Sequence, residues 1–251
     1  MRPRLIGMVH LGPLPGAPGY LGEIDGLLAA AMRDARVLAD AGFDAVMVEN
    51  FGDAPYFPEA VPPVTVAAMA RAVGAVRDAI EIPVGVNVLR NDALAAVSIA
   101  AATGASFIRV NVLHGTMTTD QGGITGRAAE VARLRRALAP DLWVMADVFV
   151  KHAVPPPGLS LEQATADLAS RGGAGAIIVS GDATGKAPGI GTVRKVKAGA
   201  GDVPVYLGSG VTATTLPRFL AVADGAIVGT AAKQRGVTTN PVAANRARAM
   251  V

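Results

Sequence analysis

Apolar residues fall along this chain in two alternating rhythms. Short, nearly unbroken apolar runs occupy residues 5–9, 45–49, 84–88, 107–110, 142–146, 176–179, 205–207 and 226–228. Each is followed by an Ala-rich stretch of helical composition, at 24–41, 64–79, 92–102, 127–138, 161–170, 190–198, 214–221 and 241–250. A continuous apolar run suits a strand covered on both faces, and a strand that always hands over to a helix suits a parallel sheet. Eight such repeats predict a (β/α)8 TIM barrel, because an open doubly wound sheet would stop at about five or six strands. The first helix is amphipathic through Ile24, Leu27, Leu28, Ala31, Ala35 and Leu38. Gly42, Gly104, Gly172 and Gly173 stand where left-handed helix ends are wanted, and Pro83 and Pro204 stand where strands begin.

Composition narrows the class. A length of 251 residues with 51% hydrophobic and 17% charged residues fits a single domain over 1–251 with a large core. The net charge of +3 is spread without a basic stripe, and aromatic residues are only 4%, which excludes a nucleic-acid surface. With no cysteine, thiolate catalysis and sulfur-ligated zinc are excluded. The apolar run at 5–10 is too short for a secretory signal, and no run reaches the length of a membrane span. The expectation is a cytoplasmic protein whose Gly/Ala-rich helix faces associate into a homo-oligomer.

Two late glycine turns carry the clearest local chemistry. The seventh strand ends in Gly208-Ser209-Gly210 and the eighth in Gly229-Thr230, with Lys233 just beyond. Glycine lets the backbone approach an anion, amide N–H groups at a helix start point toward it, and barrels often seat a phosphate between these two loops. Lys233 would add a charge-assisted contact. The missing third glycine excludes a dinucleotide fingerprint.

Polar residues recur where the other strands end. His10, Glu49, Asn87, Arg109, Asn111, Asp147 and Ser180 are embedded in apolar runs, with Lys151 and Asp182 shortly after. Strand ends in a barrel converge on one cavity, and an unpaired polar group there is costly. Glu49, Asp147 and His10 are the candidate acid/base groups. Asn87, Arg109, Asn111, Lys151, Ser180 and Asp182 are the candidate substrate contacts. An internal pair with Glu49 or Asp147 is the plain alternative for Arg109, and a hydrogen-bonded loop residue the plain alternative for His10. Lys151 would serve as an amine nucleophile only if desolvated, and its place beyond the strand argues for a binding role. No cofactor is expected, though Glu49, Asp147 and Asp182 offer oxygen ligands of the kind Mg2+ takes.

The segments Met8-Val9-His10-Leu11 with Pro13-Leu14-Pro15-Gly16, Val48-Glu49-Asn50, Gly85-Val86-Asn87, Ile108-Arg109-Val110-Asn111 and Ala146-Asp147-Val148 with Lys151-His152 span nearly the whole chain. Together with the Gly-Ser-Gly-Val-Thr turn they resemble the BtpA family, also called BtpA/SgcQ. The resemblance implies a ribulose-phosphate-binding type of barrel, and the family's name refers to photosystem I biogenesis. The expected function is an enzyme using acid/base chemistry on a phosphorylated sugar or nucleoside-like metabolite, as an isomerase, lyase or glycosidic-bond-cleaving enzyme. A non-catalytic assembly or ligand-sensing factor is the alternative.

Overall fold

The computed structural model describes residues 2–181 and 185–251. Eight parallel strands close into a barrel: β1 (Leu5–His10), β2 (Ala45–Glu49), β3 (Val84–Asn87), β4 (Phe107–Val110), β7 (Trp143–Val148), β9 (Ala176–Val179), β10 (Val205–Leu207) and β11 (Gly225–Val228). Around it run α1 (Ile24–Ala41), α2 (Pro63–Ala79), α3 (Ala93–Thr103), α4 (Ala128–Leu138), α5 (Leu161–Ser170), α6 (Ile190–Gly199), α7 (Leu216–Leu220) and α8 (Ala244–Arg248). The TIM barrel anticipated from the apolar pattern is therefore the fold. No helix among the described residues is long and apolar enough to cross a membrane.

Strand period two divides the residues between two cores. Outward-facing Val46, Val48, Val86, Ile108 and Ile177 join the helices in the larger one. Inward-facing Ile6, Met8, Met47, Phe107, Met145, Ile178, Tyr206 and Ile227 fill the barrel. The aromatics sit at the strand beginnings: Trp143 meets Phe107 and Tyr206 edge-on, and the Tyr206 hydroxyl donates to the Pro3 carbonyl at 2.6 Å. Their rings take the space left by glycines on neighbouring strands, since a Cβ at Gly85 would collide with Phe107 and one at Gly225 with Tyr206. One end of the barrel is thus plugged by rings, and a ligand has only the other end.

Helix boundaries follow local chemistry. Gly42 (φ 99°) and Gly104 (φ 71°) end α1 and α3 in left-handed conformation. Asp92 caps α3 by accepting from the Ala95 N–H, and Ser160 caps α5 by accepting from the Gln163 N–H. Arg171, not glycine, caps α5. The last two helices are shorter than their apolar patterns suggest, because Thr212 and Thr215 make a side-chain-bonded turn before α7 and the chain pairs Lys233 with Val242 before α8.

A three-stranded antiparallel sheet, β6 (Gly122–Thr125), β5 (Thr116–Thr119) and β8 (Ala153–Val154), escaped the sequence pattern. Its strands hold few apolar residues, and it rests on a small separate core of Val112, Met117, Ile124 and Val150. It is built from the connections that follow β4 and β7.

Lys233 corrects one expectation. It is 1% exposed, and its ammonium donates to Asp34 of α1 at 2.9 Å, so its charge is taken up inside the wall and not offered to a phosphate. Asp34 also accepts from the Val242 N–H at 3.1 Å, which ties α1 to the C-terminal segment. Removing one partner of a buried ion pair strands the other charge. Lys233→Met is expected to lower stability by about 3 kcal/mol. Adding Asp34→Asn is expected to recover part of that loss, which urea unfolding of both variants measures.

Candidate active site

The inward position at the carboxyl end of every barrel strand, within it or just after it, is polar or glycine: His10, Glu49, Asn87, Arg109, Asp147, Ser180, Gly208 and Gly229. All eight sit at the carboxyl ends of parallel strands, at one rim. The register aligns His10 with Glu49, Glu49 with Asn87 and Asn87 with Arg109 on successive strands.

Arg109 and Asp147 form a two-pronged pair, with Nε and Nη2 each 2.8 Å from a carboxylate oxygen. Burial pulls the Arg109 guanidinium down, but the Asp147 carboxylate outweighs it and the net shift is upward. Asp147 also accepts from Asn111 Nδ2 at 3.4 Å and from Ser180 Oγ at 3.3 Å. A carboxylate with this many donors is fixed in position. The internal pairing that the sequence left open for Arg109 is the one present, and the same contacts leave Asp147 little room for a metal. Among the described residues no three His, Asp or Glu gather as a metal cluster.

Glu49 is differently placed. Its Oε2 accepts from Asn87 Nδ2 at 2.6 Å, while among the described residues its Oε1 accepts no hydrogen bond and His10 Nε2 lies 3.7 Å from it. Burial holds the His10 imidazole well below its ordinary pKa, and Lys233 and Lys151 add repulsion, so His10 is neutral near pH 7. Its Nδ1 is buried and has no hydrogen-bond partner among the described residues. The carboxylates fix the amide orientations of Asn87 and Asn111, nitrogen toward acid. Their carbonyl oxygens are then left buried with no partner among the described residues. Two such acceptors at one rim call for hydroxyl or N–H donors from a ligand or from water.

A cavity of about 260 Å³ opens here, lined by Glu49, Arg109, Asn111, Lys151, Phe51, Tyr56, Leu89, Arg90, Asp120 and His152. Lys151 reaches it from an unusual loop: Phe149 (φ 48°) and His152 (φ 57°) are both left-handed, which side chains of this kind rarely adopt. Arg90 holds the loop by donating from Nη2 to the Lys151 carbonyl at 2.7 Å. Arg90 was not among the sequence candidates. The signal was available, since it follows an apolar strand just as the chosen residues do. Asn50, by contrast, is structural: it receives the Leu89 N–H and donates to Asp53, which itself accepts from the Leu14 N–H.

The glycine turns adjoin this layer. A Cβ at Gly208 would collide with Ser180 Oγ and approach Arg109 Nη2, and one at Gly229 would meet His10 Cε1 at 2.9 Å. Glycine is required there by the polar residues beneath. Among the described residues the N–H groups of Ser209, Gly210, Thr230 and Ala231 make no hydrogen bond. They do not belong to long helices, since α7 begins only at Leu216 and Thr230–Ala232 is a single turn. Lys186-Ala187 lies over Gly210, with Ser209 Oγ donating to the Lys186 carbonyl at 3.0 Å. Asp182, expected to touch substrate, lies outside the described residues.

The neutral state of His10 has a measurable consequence. The unfolded chain takes up a proton near the ordinary value of 6.5, whereas the folded chain resists it. Stability should therefore fall as pH drops from about 6.5 toward 5, with a slope of at most about 1.4 kcal/mol per pH unit from this group. In denaturant titrations across that window, His10→Asn should flatten the slope.

Comparison with known proteins agrees with this architecture. The chain is 50% identical over 250 residues to an uncharacterized protein of Thermococcus kodakarensis, covering 100% of this chain and 94% of that protein. It is 43% identical over 232 residues to the photosystem I biogenesis protein BtpA of Synechocystis, covering 92% and 81%. Among solved structures, thiamine phosphate pyrophosphorylase from Pyrococcus furiosus superposes with a TM-score of 0.60 at 15% identity, covering 98% and 93%, a likeness of fold alone. The BtpA family model matches residues 1–251, and the chain belongs to the BtpA family.

Proposed function

We propose that this protein is an enzyme that moves protons on a small phosphorylated sugar or sugar-like metabolite, with Glu49 as the acid/base group. The observation that carries the reading is the asymmetry between the two rim carboxylates. Asp147 is saturated by Arg109, Asn111 and Ser180, while Glu49 beside the cavity keeps one oxygen that, among the described residues, has no full hydrogen bond. Hydrolysis of a glycosidic bond normally employs two working carboxylates. Asp120, which also lines the cavity, is exposed and accepts from Gln121 Nε2, so among the described residues Glu49 is the one buried carboxylate left to react. One such group fits isomerisation or lyase chemistry better, where it takes a proton and returns it.

The remaining roles follow from the hydrogen bonds. Asn87 orients Glu49, and neutral His10 stands beside its free oxygen as a donor or acceptor. The vacant carbonyl oxygens of Asn87 and Asn111 suit sugar hydroxyls. The uncommitted amides at Ser209, Gly210, Thr230 and Ala231 suit a phosphate, which backbone N–H groups recognise without a lysine. Arg109–Asp147 serves as a rigid floor, positioning Asn111 and Ser180.

A thermal-shift panel of sugar phosphates should find a stabilising ligand, and its turnover then separates the carboxylates. Glu49→Gln should fold with little change in Tm and lose about 10²–10⁴ in kcat. Asp147→Asn should instead cost about 3–5 kcal/mol of stability, because Arg109 is left buried and unpaired. Full turnover by Glu49→Gln would refute the assignment. A stabilising ligand that no form of the protein converts would favour a ligand-sensing role.

A further inference from the structure

Lys151 is left over by this scheme. The chain has five lysines. Lys195 and Lys197 are paired with Glu162 and Asp224 on the outer surface, Lys233 is paired with Asp34 in the wall, and Lys186 is exposed. Lys151 alone lines the rim cavity, and among the described residues its ammonium forms no ion pair or hydrogen bond. Two left-handed residues, Phe149 and His152, bracket it, and Arg90 clamps its carbonyl. Such backbone strain is kept where the position of a side chain matters.

We infer that Lys151 is a nucleophile that forms a Schiff base with the carbonyl group of an aldehyde or ketone substrate in the Glu49 cavity. Burial lowers the Lys151 ammonium below its ordinary value and Arg109 adds to the effect, against partial opposition from Glu49 and Asp147. That favours the free amine the step requires. The Nζ lone pair attacks the carbonyl carbon, and the C=O π pair moves to oxygen. Glu49 takes a proton from nitrogen and returns it to that oxygen, giving a carbinolamine. A second transfer from nitrogen to the hydroxyl releases water and leaves the C=N bond. The net change is amine plus carbonyl to imine plus water, with no oxidant or reductant. The imine withdraws electrons from the adjacent carbon, so the C–H or C–C bond there is the one that breaks. This rests on the phosphosugar reading for the identity of the carbonyl compound, and it narrows that compound to one able to present an open-chain carbonyl.

Reductive trapping tests it. The intact protein is incubated with glyceraldehyde 3-phosphate and borohydride, alongside unphosphorylated glyceraldehyde, and adducts are mapped by peptide mass spectrometry. The expected result is one dominant adduct on Lys151, formed at lower concentration with the phosphorylated probe and lost in Lys151→Arg. Labelling spread over Lys186, Lys195 and Lys197 with none on Lys151 would overturn the proposal. Protection of the fold by the phosphorylated probe in the same samples would then leave the phosphosugar reading standing. Equal labelling of Lys151 by both probes would keep the nucleophile and defeat the phosphosugar reading instead. Trapping on Lys151 needs no turnover, so a variant that folds poorly does not decide the outcome.

Discussion

Arg109 and Asp147 face each other across neighbouring strands with almost no access to solvent, and the rim is organised around their pairing. Neither charge is tolerable alone inside a barrel packed with Ile, Met and aromatic rings. Together they form a polar floor on which Asn111 and Ser180 also rest. Gly208 stays a glycine because that floor reaches up to it. The pair is best understood as a device for position. It holds the Asp147 carboxylate in place, and in the proposed function that leaves Glu49 as the carboxylate that reacts.

From that floor the site gains a division of labour. Closing one end with Phe107, Trp143 and Tyr206 leaves a single mouth. At that mouth sit the Glu49 carboxylate, a neutral imidazole, the partly desolvated Lys151 and two amide oxygens that have no partner among the described residues. Desolvation works in two directions here. It makes His10 and Lys151 reluctant to carry charge, and it makes the vacant acceptors of Asn87 and Asn111 costly until something donates to them. The polyhydroxylated anion of the proposed function would answer both demands, its hydroxyls meeting the amides and its phosphate the backbone N–H groups above Gly208 and Gly229 that, among the described residues, make no hydrogen bond.

Much of this was legible in the chain. Strand positions could be read because buried parallel strands are continuous in apolar residues. The rim could be read because polar residues such as Glu49, Asn87 and Asp147 interrupt those runs at their ends. Lys233 could not be placed, since its partner Asp34 lies 199 residues earlier and no local pattern links them. The sheet of β5, β6 and β8 was hidden because Thr and Gly dominate β5 and β6, where Met117 and Ile124 are the apolar residues that join the small core. The conformation that carries Lys151 into the cavity was likewise hidden, as it depends on left-handed Phe149 and His152, residues that give no sequence signal for it. The glycines of the last two strands were read for anion approach, and the fold adds that side chains there would strike Ser180 and His10.

The most direct measurement is the electron density of a crystal grown with the sugar phosphate that binds tightest. The account predicts hydroxyl oxygens within hydrogen-bond reach of the Asn87 and Asn111 carbonyl oxygens, with the phosphate against the amides of Ser209 and Thr230. A ligand lying wholly in the neighbouring apolar cavity beside Tyr56 and Phe57, with those two amide oxygens still unmet, would contradict it.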